Sequence, residues 1–175
     1  MKRFLAIALA AASCAALCAG AHKNNSFADE ALTSGCKSVC LMDAYSGQIV
    51  YEENSLAHMP IASVCKVMTL TLCFDAIESG KLDLDGTIAV SERAAGMGGS
   101  QVFLQSGLKY NVSELIKSIV VCSANDSCVA LSETVCGSEQ KFVDEMNKKA
   151  ETLGCKDTLF ANCTGLPKDT QYSCA

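Results

Sequence analysis

A run that is apolar almost without pause extends to Ile77 and opens with Ser63 and Lys66, a serine and a lysine three residues apart. In a helix such residues lie about one turn apart on one face, so Ser63 and Lys66 can meet. Apolar residues cover nearly every side of this helix, which predicts that it is buried. Burying the charged amine of a lysine there costs free energy unless the amine is paired or takes part in function. A lysine kept from water loses its charge more easily and can accept a serine proton. We expect a helix from about Ser63 to Glu78, ending at Gly80, with Ser63 as candidate nucleophile and Lys66 as candidate base.

The first 28 residues read as a secretory signal peptide. Two basic residues precede an apolar run from Phe4 to Ala19, and small residues follow. Cleavage after Ala21 or Ala28 fits the small-residue pattern, and we prefer Ala28. We therefore expect an exported protein that acts outside the cytoplasm, in the cell envelope or periplasm, with residues 29–175 as its mature part.

The charge balance argues against a nucleic-acid partner. Residues 29–175 hold 11 basic and 19 acidic residues, a net charge of −8, whereas nucleic-acid-binding proteins carry a basic surface. No histidine has a partner at zinc-like spacing, because His22 lies in the expected signal peptide and His58 is isolated. We expect neither a metal nor a cofactor.

Ten of the 12 cysteines lie beyond residue 28, and their spacing is irregular. Several replace small apolar residues within helical patterns: Cys65, Cys73, Cys122 and Cys128. We expect buried free thiols, with Cys65 pointing away from the face that carries Ser63 and Lys66. Disulfides remain the alternative, since export permits them.

The remaining pattern predicts strands first and helices later. A hairpin is expected from Val39–Ala44 and Gln48–Glu52, and a short strand near Thr87–Val90. A glycine-rich loop, Ala95–Ser100, lacks the lysine of a phosphate-binding loop and reads as a flexible turn. Three helices follow: one behind a capping box at Asn111 and Glu114, one over about Ser127–Val135, and one from Ser138 to Gly154 whose inner face includes Leu153.

Two motifs together point to a family. Ser63-x-x-Lys66 and Ser123-Ala124-Asn125 resemble two of the three active-site motifs of the penicillin-recognising serine enzymes. The chain resembles most closely the D-alanyl-D-alanine carboxypeptidases, the low-molecular-mass penicillin-binding proteins. The likeness extends from Val39 to Ala175 through ordered segments: Asp43–Gly47, Ala62–Thr69, Met97–Leu104, Ser123–Asp126, Phe142–Asn147 and Phe160–Leu166.

The resemblance implies an α/β (α+β) fold, in which helices flank a sheet beside a helical subdomain. It implies hydrolysis of peptidoglycan pentapeptide stems that end in D-Ala-D-Ala, with β-lactam antibiotics as covalent inhibitors. Ser63 would be the nucleophile and Lys66 the general base. Ser123 would relay a proton to the leaving D-alanine, and Asn125 would bind the substrate backbone and fix the geometry of the site.

The third motif of the family, Lys-Thr/Ser-Gly, does not occur. Cys163-Thr164-Gly165 is not this motif, because it has no lysine and no strand context. We expect the N-terminal portion of such an enzyme, without its C-terminal strands, and any membrane association would need a C-terminal anchor that is absent here. The uncovered helix should then expose an apolar flank. Two alternatives stay open: an inactive fragment, or a class A β-lactamase-like hydrolase, which would need a Glu-x-x-Leu-Asn loop that does not follow Asn125.

Overall fold

The computed structural model of the chain describes residues 35–168 and 171–173. The predicted signal peptide, residues 1–28, and its cleavage site lie outside them. Within the described ranges, no helix combines the length and the apolar character needed to cross a membrane. The elements in chain order are β1 (Val39–Met42), β2 (Ile49–Glu53), a 3₁₀ turn (Ala62–Cys65), α1 (Lys66–Glu78), β3 (Thr87–Ala89), α2 (Glu92–Ala95), β4 (Lys109–Asn111), α3 (Val112–Cys122), α4 (Asn125–Cys136) and α5 (Glu139–Thr152).

The predicted hairpin is confirmed: β1 pairs antiparallel with β2. The turn between them is stabilised by Asp43, whose carboxylate accepts hydrogen bonds from the backbone and hydroxyl of Ser46 and from the backbone of Tyr45. These bonds lower the pKa of the Asp43 carboxyl, and the bond from the Ser46 hydroxyl has the largest effect. A second antiparallel pair, β3 with β4, confirms the short strand near Thr87 and leads directly into α3.

The centre of the described fold is α4, which packs against α1, α2, α3 and α5. Nine of its residues are buried, including the polar Asn125, Asp126 and Ser127.

The expectation that α1, the helix after Ser63, is buried on all sides is wrong. That helix packs on α4 and α5, yet Val67 and Phe74 remain 65% and 51% exposed.

This exposed apolar flank of α1 agrees with the expectation drawn from the missing third motif. The hairpin also exposes apolar side chains among the described residues: Leu41, Met42, Ile49 and Val50. Large contiguous apolar patches are uncommon on the surface of a folded monomer and mark surfaces that pack against further protein.

The predicted capping box is wrong in its contacts, although α3 begins where it was expected. Asn111 makes no side-chain bond to the helix, and Glu114 forms an ion pair with Lys117 instead of reaching back. The first two amides of the helix, beginning with Val112, already donate to backbone carbonyls in the loop 84–86. A side-chain cap therefore has fewer unpaired donors to satisfy.

Two burial predictions near helix ends also fail. Leu153 is exposed, because α5 ends at Thr152 and Leu153 no longer belongs to its inner face. Cys122, the last residue of α3, is exposed as well, whereas Cys65, Cys73 and Cys128 are buried as predicted. The nine cysteines in the described part of the chain are free thiols.

Candidate active site

Ser63 and Lys66 meet as predicted, through a tighter helix than expected. The segment Ala62–Cys65 is a 3₁₀ turn that leads into α1. In 3₁₀ geometry, residues three apart eclipse each other, which places Lys66 directly over Ser63. Lys66 Nζ lies 3.1 Å from Ser63 Oγ. Lys66 is only 4% exposed, while Ser63 is open to solvent, so a buried amine faces an accessible hydroxyl.

The backbone immediately before Ser63 is strained. Ala62 has φ of 45°, a left-handed conformation that costs a non-glycine residue about 1–2 kcal/mol. Gly165 packs against it so closely that a Cβ atom there would lie 1.8 Å from the Ala62 carbonyl oxygen and 3.0 Å from the Ser63 nitrogen. Gly165 itself has φ of 81°, so only glycine fits the position. Strain of this kind persists when neighbouring structure holds it.

Lys66 has a second partner that the sequence analysis missed. Its Nζ donates to the carbonyl oxygen of Thr164 at 2.6 Å, which is shorter than the contact with Ser63. Thr164 belongs to Cys163-Thr164-Gly165, which does not match the third motif. This segment is no strand, yet the carbonyl oxygen of Thr164 contacts the Lys66 amine directly. Every residue type has a backbone carbonyl, so the sequence pattern could not predict this contact.

Cys65 is a buried free thiol, as predicted, but it does not point away from the Lys66 side. Its Sγ donates to the carbonyl oxygen of Asn162, two residues before the carbonyl that Lys66 contacts. The 3₁₀ turn changes the angular spacing on which the prediction was based. Burial raises the pKa of Cys65 to about 12, and the charge of Lys66 opposes this only in part.

Ser123 lies between α3 and α4 in a left-handed conformation, with φ of 55°. Its Oγ is buried and has no hydrogen-bond partner within residues 35–168 and 171–173. The structure therefore does not join Ser123 to Ser63 and Lys66 by a direct bond. The charge of Lys66 partly offsets the burial that raises the pKa of Cys128 in α4.

Asn125 and Asp126 bond the glycine-rich loop and the segment that follows it. The side-chain amide of Asn125 donates to the carbonyl of Gly98 at 2.8 Å. The fully buried carboxylate of Asp126 accepts from the backbone amides of Val102 and Leu104, just beyond the loop. These bonds tie both stretches to α4, and the sequence pattern does not predict the contacts of Asp126.

Glu139 holds the segment that carries Thr164 through the backbone of the preceding residue, Cys163. Its carboxylate pairs with Arg93 and accepts from the backbone amide of Cys163. Burial opposes the ionisation of Glu139, but these donors outweigh it and lower its pKa. Glu139 and Thr164 also line a cavity of about 430 Å³. Among the described residues, no three His, Cys, Asp or Glu side chains are grouped so as to hold a metal ion.

Comparison with known proteins identifies the family of the chain. The profile of the D-alanyl-D-alanine carboxypeptidases matches residues 24–175. The D-alanyl-D-alanine carboxypeptidase DacF of Bacillus subtilis (strain 168) is 42% identical over 144 residues, which are 82% of this chain and 37% of DacF. DacA of Escherichia coli (strain K12) is 32% identical over 185 residues, covering 100% of this chain and 45% of DacA. The chain thus spans less than half the length of these relatives.

Solved structures agree with the sequence comparison and confirm the predicted fold class. The crystal structure of DacD from Francisella tularensis superposes with a TM-score of 0.76 at 38% identity, over 78% of this chain and 33% of that one. Penicillin-binding protein D2 from Listeria monocytogenes, solved in its ampicillin-bound form, superposes with a TM-score of 0.69 at 27% identity, over 78% and 56% of the two chains. The chain belongs to the D-alanyl-D-alanine carboxypeptidase family.

Proposed function

We propose that the protein is a serine D-Ala-D-Ala carboxypeptidase, which removes the terminal D-alanine from peptidoglycan pentapeptide stems through an acyl-enzyme at Ser63. The observation that carries this proposal is the buried Lys66 amine 3.1 Å from the exposed Ser63 hydroxyl. A nucleophile and its base at hydrogen-bond distance are what covalent acyl transfer requires. Membership of the carboxypeptidase family supports the same reaction.

In acylation, Ser63 Oγ forms a bond to the carbonyl carbon between the two D-alanines, and the amide C–N bond breaks. Lys66 in its neutral form accepts the hydroxyl proton. The carbonyl of Thr164 occupies one N–H of that amine, which restricts how the amine can turn and leaves its lone pair free to face Ser63. The proton that Lys66 accepts passes on to the departing D-alanine amine. Water then attacks the ester, its oxygen becoming part of the carboxylate of the shortened peptide and its proton restoring the Ser63 hydroxyl.

Ser123 is the candidate for passing a proton to the departing amine of D-alanine. Leaving a buried hydroxyl without a partner costs about 1–3 kcal/mol, and the buried Oγ of Ser123 has none in the described structure. A bound substrate would supply that partner. Asn125 would hold the substrate backbone and keep the site in shape, a role that its bond to Gly98 in the adjacent loop supports.

The oxyanion of the tetrahedral intermediate needs preorganised donors. We assign one of them to the backbone N–H of Ser63, at the start of the 3₁₀ turn. Gly165 packs near this nitrogen and, as a glycine, adds no side chain there. In this proposal the substrate carbonyl meets the N–H and the hydroxyl of the same residue.

The same chemistry extends to β-lactams, whose strained amide would acylate Ser63 and remain bound. A family relative was solved with ampicillin, which supports this proposal. Since peptidoglycan lies outside the cytoplasm, the protein would act in the cell envelope or periplasm. The apolar run from Phe4 to Ala19 behind two basic residues supports export to that compartment.

Peptide mass mapping of the whole protein after penicillin treatment tests the proposal. We expect a penicilloyl adduct on the peptide that contains Ser63, and no adduct in Ser63→Ala. An adduct on another residue, or one that survives the Ser63→Ala substitution, would refute the assignment.

A further inference from the structure

The turn that carries Thr164, residues 162–166, forms no helix and no strand, yet it contacts α1 at several points. Three successive carbonyls, those of Asn162, Cys163 and Thr164, accept hydrogen bonds from Cys65, Thr69 and Lys66 respectively. A segment without regular backbone pairing must be held by other bonds if its carbonyls are to keep fixed positions.

Asn162 supplies those bonds from within the turn. Its Oδ1 accepts from the amide of Thr164 at 3.0 Å, the hydroxyl of Thr164 at 3.0 Å and the amide of Gly165 at 2.7 Å. Its Nδ2 donates to the carbonyl of Leu166 at 2.9 Å. The side chain is only 8% exposed, so water competes little for these bonds. One amide group thus bonds both peptide units that flank the Cα atom of Thr164, and the unit with the Gly165 amide is the one that carries the Thr164 carbonyl.

We propose that Asn162 is a positioning residue for Lys66. It sets the Thr164 carbonyl, and this carbonyl fixes the direction in which the Lys66 amine faces Ser63. Asn162 touches neither Ser63 nor Lys66 with its side chain and acts only through the turn. The inference rests on the proposed acyl transfer at Ser63 for its kinetic consequence, but the placement of the Lys66 amine can be measured without it.

Asn147 offers a matched control on the same segment. Its side chain bonds the backbone of Phe160 in both directions, accepting at 2.8 Å and donating at 3.0 Å. It ties Phe160, which precedes the turn, to α5, and both of these side-chain bonds lie outside residues 162–166. Asn147→Ala should therefore destabilise the protein without redirecting the Thr164 carbonyl.

The experiment compares Asn162→Ala, Asn162→Asp and Asn147→Ala in the whole protein. Acylation by a fluorescent penicillin gives the dissociation constant and the acylation rate constant separately. We expect Asn162→Ala to lower the rate constant about tenfold to a hundredfold, since a displacement near 1 Å of a reacting group has that effect, with little change in the dissociation constant. Asn162→Asp keeps the acceptor oxygen and should recover much of the rate, while Asn147→Ala should stay close to wild type at temperatures where it is folded.

The side-chain NMR signal of Lys66, assigned with Lys66→Arg in lysine-labelled protein, gives a readout that needs no reaction. We expect Asn162→Ala to move this signal further than Asn147→Ala does. If the signal moves in this way while even wild type shows no acylation, the proposed function fails and the positioning role stands. If wild type acylates, and Asn162→Ala matches Asn147→Ala in both rate and signal, the positioning role is refuted.

Discussion

Replacing Gly165 by alanine should disable the site more than it destabilises the fold. The new Cβ would lie 1.8 Å from the carbonyl oxygen of Ala62, so the two backbones must separate by about 1.2 Å before even a 3.0 Å contact is reached. The same shift stretches the 2.6 Å bond between Lys66 and Thr164 beyond hydrogen-bond range, or it carries Ser63 away from Lys66. Either outcome should slow acylation about a hundredfold.

The expected loss of stability has two parts. The left-handed backbone of Gly165, with φ of 81°, costs an alanine about 1–2 kcal/mol. Forcing an extra methyl into packed structure adds about 1–3 kcal/mol. Gly137→Ala isolates the first part, because Gly137 has φ of 80° and nothing lies within 4 Å of its Cβ position. It should lose only the backbone part and keep its acylation rate.

Urea unfolding followed by circular dichroism measures the free energy of unfolding, and fluorescent penicillin measures acylation. We expect a large difference in acylation rate between Gly165→Ala and Gly137→Ala, together with a smaller difference in the free energy of unfolding. Equal acylation rates in the two variants would show that the close approach of Gly165 to Ala62 does not position the site.

Two further predictions concern the groups around the site. Glu139 has a lowered pKa, so its ionised form stabilises the protein above its ordinary pKa of 4.5, and this stabilisation is lost as the pH falls through the lower folded value. Glu139→Gln should lower the free energy of unfolding by about 1–3 kcal/mol at pH 7 in urea titrations, and the gap should close in acid; a gap that is the same at pH 3 and pH 7 would contradict this. Burial raises the pKa of Cys73 to about 12, so iodoacetamide at pH 8 should alkylate the exposed Cys122 and spare Cys73 until the protein is unfolded; labelling of native Cys73 would show that the core opens readily.

The sequence predicted well those features that depend on residues close together in the chain. The hairpin, the sequence of helices and the Ser63–Lys66 pair follow from periodicity, turn residues and spacing, all of which act within a few residues. Burial was predicted less well. The run after Ser63 is apolar on every side, but whether each side is covered depends on which elements pack there, and the buried centre proved to be α4.

The contacts that complete the site could not be read from the sequence for a different reason. Thr164 reaches Lys66 through a backbone carbonyl, 98 residues away along the chain, and any residue type carries such a carbonyl. The sequence does contain Asn162 and Gly165, which hold that carbonyl in place. Their roles depend on a turn geometry that only the folded structure reveals.

In the proposed reaction, Ser63 and Lys66 hydrolyse the bond between two D-alanines. D-alanine release from a diacetylated tripeptide ending in D-Ala-D-Ala tests this most directly, in the whole protein and in Ser63→Ala and Lys66→Met. We expect wild type and Gly137→Ala to release D-alanine, and both site substitutions to abolish the release. Release that persists in Ser63→Ala, or a folded wild-type protein that acylates with penicillin yet releases no D-alanine, would contradict it.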